Sequence, residues 1–122
     1  MKILIIDDSP WQRKHLARIL GAVGHDVIEA SNGMDGISRF AEQPSVIVCD
    51  LLMPGIDGFG VLGALRDHAT PIPIVIASAD IQRTTRQKCE ELGARRFVAK
   101  PYGAADILQA IAEATSEESV RC

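Results

Sequence analysis

Three acids, a hydroxyl and an ammonium stand at the ends of short apolar runs: Asp7 and Asp8, Asp50, Ser78, and Lys100 followed by Pro101. Carboxylates crowded together repel, and one stays protonated unless a cation intervenes. A hard divalent ion with oxygen ligands removes that conflict. Mg2+ suits it best, because it binds through one or two carboxylates and keeps water positions for a phosphate oxygen. An Asp beside such an ion and a Lys describes a phosphoryl acceptor: the carboxylate attacks phosphorus, while ion and ammonium neutralise the phosphoryl oxygens. Ser78 would then donate a hydrogen bond to the new phosphate. Each residue alone has a plainer reading, with Asp8 or Ser78 as a helix cap and Lys100 as a snorkelled surface lysine. No cap role is left for Asp50, and two adjacent acids exceed what one cap needs. A Lys100-Pro101 bond in the cis form would turn the ammonium back over the acids.

Those residues need elements that deliver them to one place, and the sequence alternates between two hydrophobic periods. Strands are expected over Lys2–Asp7, Asp26–Ala30, Ser45–Asp50, Pro73–Ser78 and Arg96–Lys100. Between them run helical stripes. Ser9-Pro10 opens the first, with Leu16, Ile19, Leu20 and Val23 inward and Gly24 as terminator. The second follows Ser31-Asn32-Gly33 and faces Ile37, Phe40 and Ala41 inward; a glycine-diluted third carries Val61, Leu62 and Leu65. The fourth spans about Ile81 to Leu92, ended by Gly93, and the fifth runs from Ala104 to Ala114 with Ile107, Leu108 and Ile111 inward. Residues 116–122 read as a polar, frayed tail. Five strands alternating with five helices imply right-handed crossovers and a doubly wound parallel sheet. All βα loops then open at the carboxyl edge of the strands, where such sheets bind ligands.

Composition narrows the function classes. At 122 residues the chain is one domain, 1–122; it is 47% hydrophobic and 24% charged, the range of soluble globular proteins. No apolar run approaches the roughly 20 residues of a membrane span. A net charge of −3 disfavours a nucleic-acid partner, and nothing after the fifth helix reads as a DNA-reading unit. Cys49, Cys89 and Cys122 form no paired motif, which fits a reducing cytoplasm; Cys49 reads as a small core residue. His15, His25 and His68 are too scattered for a metal site.

The run Ile5-Ile6-Asp7-Asp8-Ser9, the segment Val48-Cys49-Asp50-Leu51-Leu52-Met53-Pro54-Gly55-Ile56-Asp57-Gly58, Ser78-Ala79 and Lys100-Pro101 together resemble the receiver domain of two-component response regulators, in its stand-alone CheY-like form. The likeness extends to about Ala114. It implies a flavodoxin-like sheet with strand order 2-1-3-4-5. It further implies phosphorylation of Asp50 by a sensor histidine kinase or phosphotransfer protein. Mg2+ would be held by Asp8, Asp50 and the Leu52 backbone carbonyl, with Asp7 acting through bound water. Lys100 would pair with the phosphoryl group, Ser78 would be the switch hydroxyl, and Phe97 the aromatic that turns inward with it. Pro101 would follow a cis bond. On this reading the protein is a binding module with slow autodephosphorylation, not a turnover enzyme.

Two other readings fit less well. A haloacid-dehalogenase-type Mg2+ phosphatase also uses an Asp nucleophile, a Lys and a Ser/Thr, but needs two acids spaced two apart after the first strand; here Asp7 and Asp8 are adjacent and Ser9 follows. A flavin-binding domain needs a phosphate loop where Asp7-Asp8 would repel the phosphate.

Signal output is expected through the fourth helix, fifth strand and fifth helix, by the same resemblance. The fourth helix has a weak inward stripe of Ile81, Thr85, Cys89 and Leu92, which makes it the element expected to respond. Arg83, Arg86, Lys88, Arg95 and Arg96, with Phe97 and Tyr102 nearby, suggest an acidic protein partner or a homodimer. Trp11 opens the first helix beside the acidic rim, where surface packing is the plainer reading and shielding of the rim or fluorescent reporting of metal binding the sharper one. Leu52 is apolar where a polar side chain would help place an attacking water, so acyl-phosphate hydrolysis is expected to be slow.

Overall fold

Five short apolar runs become strands β1 (Lys2–Ile6), β2 (Asp26–Ala30), β3 (Val46–Asp50), β4 (Ile74–Ser78) and β5 (Arg96–Ala99) in a computed structural model of the protein. The structure describes residues 1–68 and 71–120, with side chains as far as Ser116. The strands pair in parallel in the order β2-β1-β3-β4-β5. The chain steps outward from β1 to β2, then returns across β1 to β3, so the direction of winding reverses between β1 and β3. That reversal opens a crevice at their carboxyl ends.

Period-two alternation sorts the strand side chains to the two faces. Ile3, Ile5, Val46, Val48, Val75 and Val98 pack against one pair of helices, α1 (Pro10–Ala22) and α5 (Ala104–Val120). Leu4, Ile6, Ile47, Cys49, Ile74 and Ile76 face α2 (Gly33–Ser38), α3 (Gly58–Asp67) and α4 (Arg83–Glu91). Both faces of the sheet are thus dry, which is why β1, β3 and β4 read as unbroken apolar runs. Burying each such Ile or Leu contributes about 1.5–3 kcal/mol relative to exposing it.

Helices α1, α2 and α3 start where a side-chain oxygen meets one of the first free N–H groups. Ser9 Oγ accepts from Gln12 N–H at 3.3 Å with Pro10 in the first turn, Asn32 Oδ1 from Asp35 N–H at 2.7 Å, and Asp57 Oδ1 from Gly60 N–H at 3.0 Å. Past the ends of α1 and α4, Gly24 at φ +89° and Gly93 at φ +104° take left-handed turns that L side chains rarely adopt.

Several expectations need correcting. Val23 sits at the C-cap of α1 and Ala41 on the outside of a 3-10 turn (Arg39–Glu42) that replaces the second half of the second helix, so both are exposed. Ile81 is 61% exposed and precedes α4, which begins two residues later at Arg83. The polar segment after Ala114 continues α5 to Val120, because Ser116, Glu117 and Glu118 carry no helix breaker. The helix expected to end at Ala114 therefore runs on to Val120, and residues 121–122, including Cys122, lie outside the described residues.

Candidate functional site

β1 and β3 are neighbours in register, with Ile6 opposite Cys49, so the residues that follow emerge side by side at the crevice. One carboxylate oxygen each from Asp7, Asp8 and Asp50 lies within 4.8 Å of the others. Asp7 is buried, Asp50 partly buried and Asp8 exposed, a floor-to-rim gradient. Ser9 rather than Asp8 caps α1, which leaves the Asp8 carboxylate for other work. The turn carrying the two acids is held on both sides. Asp7 Oδ1 accepts from Ser9 N–H at 2.9 Å, while the Arg13 guanidinium donates to the Asp7 carbonyl at 2.8 Å and pairs with Glu29 at 3.1 Å.

Lys100 enters from the end of β5. Its backbone N–H donates to the Ser78 carbonyl at 2.9 Å, which fixes the ends of β4 and β5 together. Its ammonium donates to Asp50 Oδ1 at 2.9 Å and lies 3.5 Å from Asp7 Oδ2. A third bond goes to the Gln12 side-chain oxygen. The Lys100–Pro101 peptide is cis.

Burial pushes the Asp50 carboxyl above its usual range. The Lys100 hydrogen bond and charge oppose that, and the Asp7 and Asp8 charges add to it. Burial likewise pushes the Tyr102 phenol up to about 12, with Asp7 and Asp50 contributing. The Cys49 thiol is held well above its ordinary range, first by burial and then by Asp50 and Asp7; it donates to the Asp50 carbonyl at 3.2 Å as an inert, protonated core group.

Ser78 is 1% exposed and points into the protein. Its Oγ accepts from Asp80 N–H at 3.0 Å. Phe97 on β5 is partly buried, and the Arg86 guanidinium of α4 lies 5.2 Å above its ring. Leu52 projects outward beside Asp50, 61% exposed. Trp11 stacks on His15 with ring centroids 5.4 Å apart, over a cavity of about 370 Å3 whose other walls include Gln12, Lys100, Pro101 and Tyr102.

The basic residues grouped by sequence make different contacts. Arg83 and Arg86 lie exposed on α4, but the Lys88 ammonium sits 4.2 Å from the Phe59 ring on the α3 side. Arg95 donates to the Ala114 carbonyl at 3.1 Å, and Arg96 pairs with Glu113 at 3.3 Å, both on α5.

Sequence reasoning missed Gln12 and Asp80. Gln12 is legible in principle, since it lies in the first turn of α1 just beyond the acids and faces the same edge. Asp80 stands in the loop before a helix, the usual position for a side chain that bonds backbone N–H groups, and that signal went unread.

Oxygen-only donors at close range are the set a hard divalent cation takes, and the cluster of Asp7, Asp8 and Asp50 fits Mg2+ on that ground. Cys49 and Cys89 are buried free thiols, and no helix among the described residues is long and apolar enough to cross a membrane.

Residues 3–112 match the profile of the response regulator receiver domain. The chain is 35% identical over 113 residues to Protein PilH of Pseudomonas aeruginosa, covering 90% of this chain and 93% of that one. It is 39% identical over 102 residues to the probable transcriptional regulator ycf27 of Porphyridium aerugineum, covering 83% of this chain and 42% of that longer protein. In structure it is similar to one chain of the CheX–CheY–BeF3–Mg complex of Borrelia burgdorferi, with a TM-score of 0.86 at 25% identity over 91% of this chain and 86% of that chain.

Proposed function

The chain belongs to the response regulator receiver family, and on that premise we propose that it is a phosphorylation-dependent switch whose phosphoryl acceptor is Asp50. The observation that carries this reading is the Asp50 carboxylate itself, 2.9 Å from the Lys100 ammonium and with an oxygen within 4.8 Å of oxygens of Asp7 and Asp8. A carboxylate oxygen of Asp50 attacks the phosphorus of a phosphohistidine on a sensor kinase or phosphotransfer protein. The O–P bond forms and the N–P bond breaks, and the electron pair leaves with the imidazole nitrogen, which takes up a proton.

The chain's own residues prepare that step. Lys100 opposes the upward push that burial gives the Asp50 carboxyl and stands where the phosphoryl oxygens would arrive. Asp8 and Asp50, with the Leu52 carbonyl, would hold Mg2+, and Asp7 would act through bound water. When bound, the ion supplies charge neutralisation for the transferring group. Ser78 would then turn its hydroxyl to the phosphate and Phe97 would follow inward. The same reading puts the reaction in the cytoplasm, a location that the free thiols of Cys49 and Cys89 support.

Output through the face of α4, β5 and α5 to an acidic partner or a second copy belongs to the same reading. Arg83 and Arg86 support it; the pairing of Arg96 with Glu113 narrows the basic area to α4. The exposed apolar Leu52 supports slow hydrolysis of the acyl phosphate, which Leu52→Asn would speed.

Acetyl phosphate and Mg2+ test the reading. The expected result is release of one equivalent of acetate in a burst, with no turnover of phosphate monoesters, and quenching of the single Trp11 by Mg2+ that Asp8→Asn weakens. Continuous turnover of monoesters, or no burst, would contradict it.

A further inference from the structure

Helix α4 is loosely attached. Among its nine residues only Cys89 is buried, and its N-cap residue, Gln82, makes no side-chain capping bond. Its start is instead held from the loop, through the N–H of the cap residue and a side-chain hydroxyl in the first turn. Asp80 Oδ1 accepts from Gln82 N–H at 3.0 Å, and Asp80 Oδ2 accepts from the Thr85 hydroxyl at 2.9 Å. One carboxylate therefore spans the entry to the helix and its first turn, where a negative charge also favours the helix dipole. Asp80 is tied in the other direction too, since its own N–H donates to the buried Ser78 Oγ at 3.0 Å. Ser78, Asp80 and Thr85 form a continuous run of hydrogen bonds from beneath the acidic crevice to α4. The next residue, Arg86, caps the Phe97 ring.

We propose that Asp80 is the positioning residue that carries a movement of Ser78 into α4. The inference rests on Asp50 being the phosphoryl acceptor, and it deepens that reading by naming the link. A Ser78 hydroxyl drawn to an acyl phosphate cannot keep its oxygen in place for Asp80 N–H. Asp80 is then released at one end, and its grip on Gln82 and Thr85 shifts with it. Because α4 has so little buried surface, losing one tether is a large fraction of what orients it. The Arg86 guanidinium moves with the helix, which uncovers Phe97.

Amide exchange across α4, with and without Mg2+ and beryllofluoride as the acyl-phosphate mimic, tests the link in the full chain. In the unsubstituted protein beryllofluoride speeds exchange at the start of α4. Thr85→Val removes the hydroxyl at nearly constant shape. It should speed exchange there by roughly fivefold without the mimic, the equivalent of one net hydrogen bond, and leave little further response to it. Asp80→Ala should do the same, and Thr85→Ser should restore the full response. A purely structural role would shift the baseline and leave the beryllofluoride increment intact. Binding of the mimic is read separately, from its 19F resonance. A bound mimic with the same increment in Thr85→Val as in the unsubstituted protein overturns the role of Asp80 alone. No bound mimic in the unsubstituted protein overturns the phosphoacceptor reading together with it.

Discussion

Lys100 and Asp50, 50 positions apart in the sequence, meet in a 2.9 Å ion pair with side chains only 14% and 12% exposed. Neither group is fully hydrated, so each depends on the other. Asp50 faces two further carboxylates, and Lys100 is the cation that balances them. Removing one partner leaves an uncompensated charge, whereas removing both leaves a smaller fault.

A double-mutant cycle therefore has a defined expectation. In EDTA, Lys100→Met should destabilise the protein to urea by more than the pair Lys100→Met with Asp50→Asn does. The coupling energy should be on the order of 1.5–3 kcal/mol. A coupling within about 0.3–0.5 kcal/mol of zero, the ordinary scatter of additive sites, would mean the contact is incidental.

The loop behind Asp50 depends on Gly58. A Cβ there would stand 2.8 Å from the Leu51 Cα and 3.0 Å from the Asp50 carbonyl, and backbone atoms cannot yield as a side-chain tip can. Gly58→Ala should cost about 1–3 kcal/mol and weaken Mg2+ binding, because the displaced segment carries Asp50 and Leu52. Gly63→Ala meets nothing within 4 Å and lies inside α3, so it should stabilise by about 0.5–1 kcal/mol. Urea midpoints for the two variants check both signs.

The strands and the site were the most legible parts of the sequence. Burial on both faces makes β1, β3 and β4 unbroken apolar runs, and a charged residue just after such a run has to sit at the sheet edge. Asp7, Asp50 and Lys100 could be placed together for that reason. Helix ends were less legible. Val23, Ala41 and Ile81 continue an apolar period, yet Val23 is the residue that ends α1, Ala41 lies in a 3-10 turn and Ile81 comes before α4 begins, and a period cannot report such boundaries. The contacts of the basic residues were not legible either: Lys88, Arg95 and Arg96 choose partners on α3 and α5 that are distant in sequence. Gln12 and Asp80 were missed because neutral amides and loop acids are common, and only geometry shows what they hold.

Tyr102 is the single tyrosine, so its phenolate absorbance can be followed alone. Its pKa of about 12 lies above the unfolded value near 10, chiefly because the ring is partly buried and also because Asp7 and Asp50 repel a phenolate. A raised folded pKa means stability that is complete below about pH 10 and lost as pH rises through about 12. The titration midpoint should fall in Asp50→Asn, where one of those charges is gone. An unchanged midpoint would place Tyr102 outside the field of the acidic site.

The central claim is that Asp50 carries phosphorus, and the most direct measurement locates it. The protein is incubated with Mg2+ and acetyl phosphate, reduced with borohydride to convert an acyl phosphate to the alcohol, and the converted residue is mapped by tandem mass spectrometry. Conversion at Asp50 alone, absent without Mg2+ and absent in Asp50→Asn, is the predicted result. Conversion at Asp7 or Asp8, or a phosphoryl adduct that survives Asp50→Asn, would contradict the account.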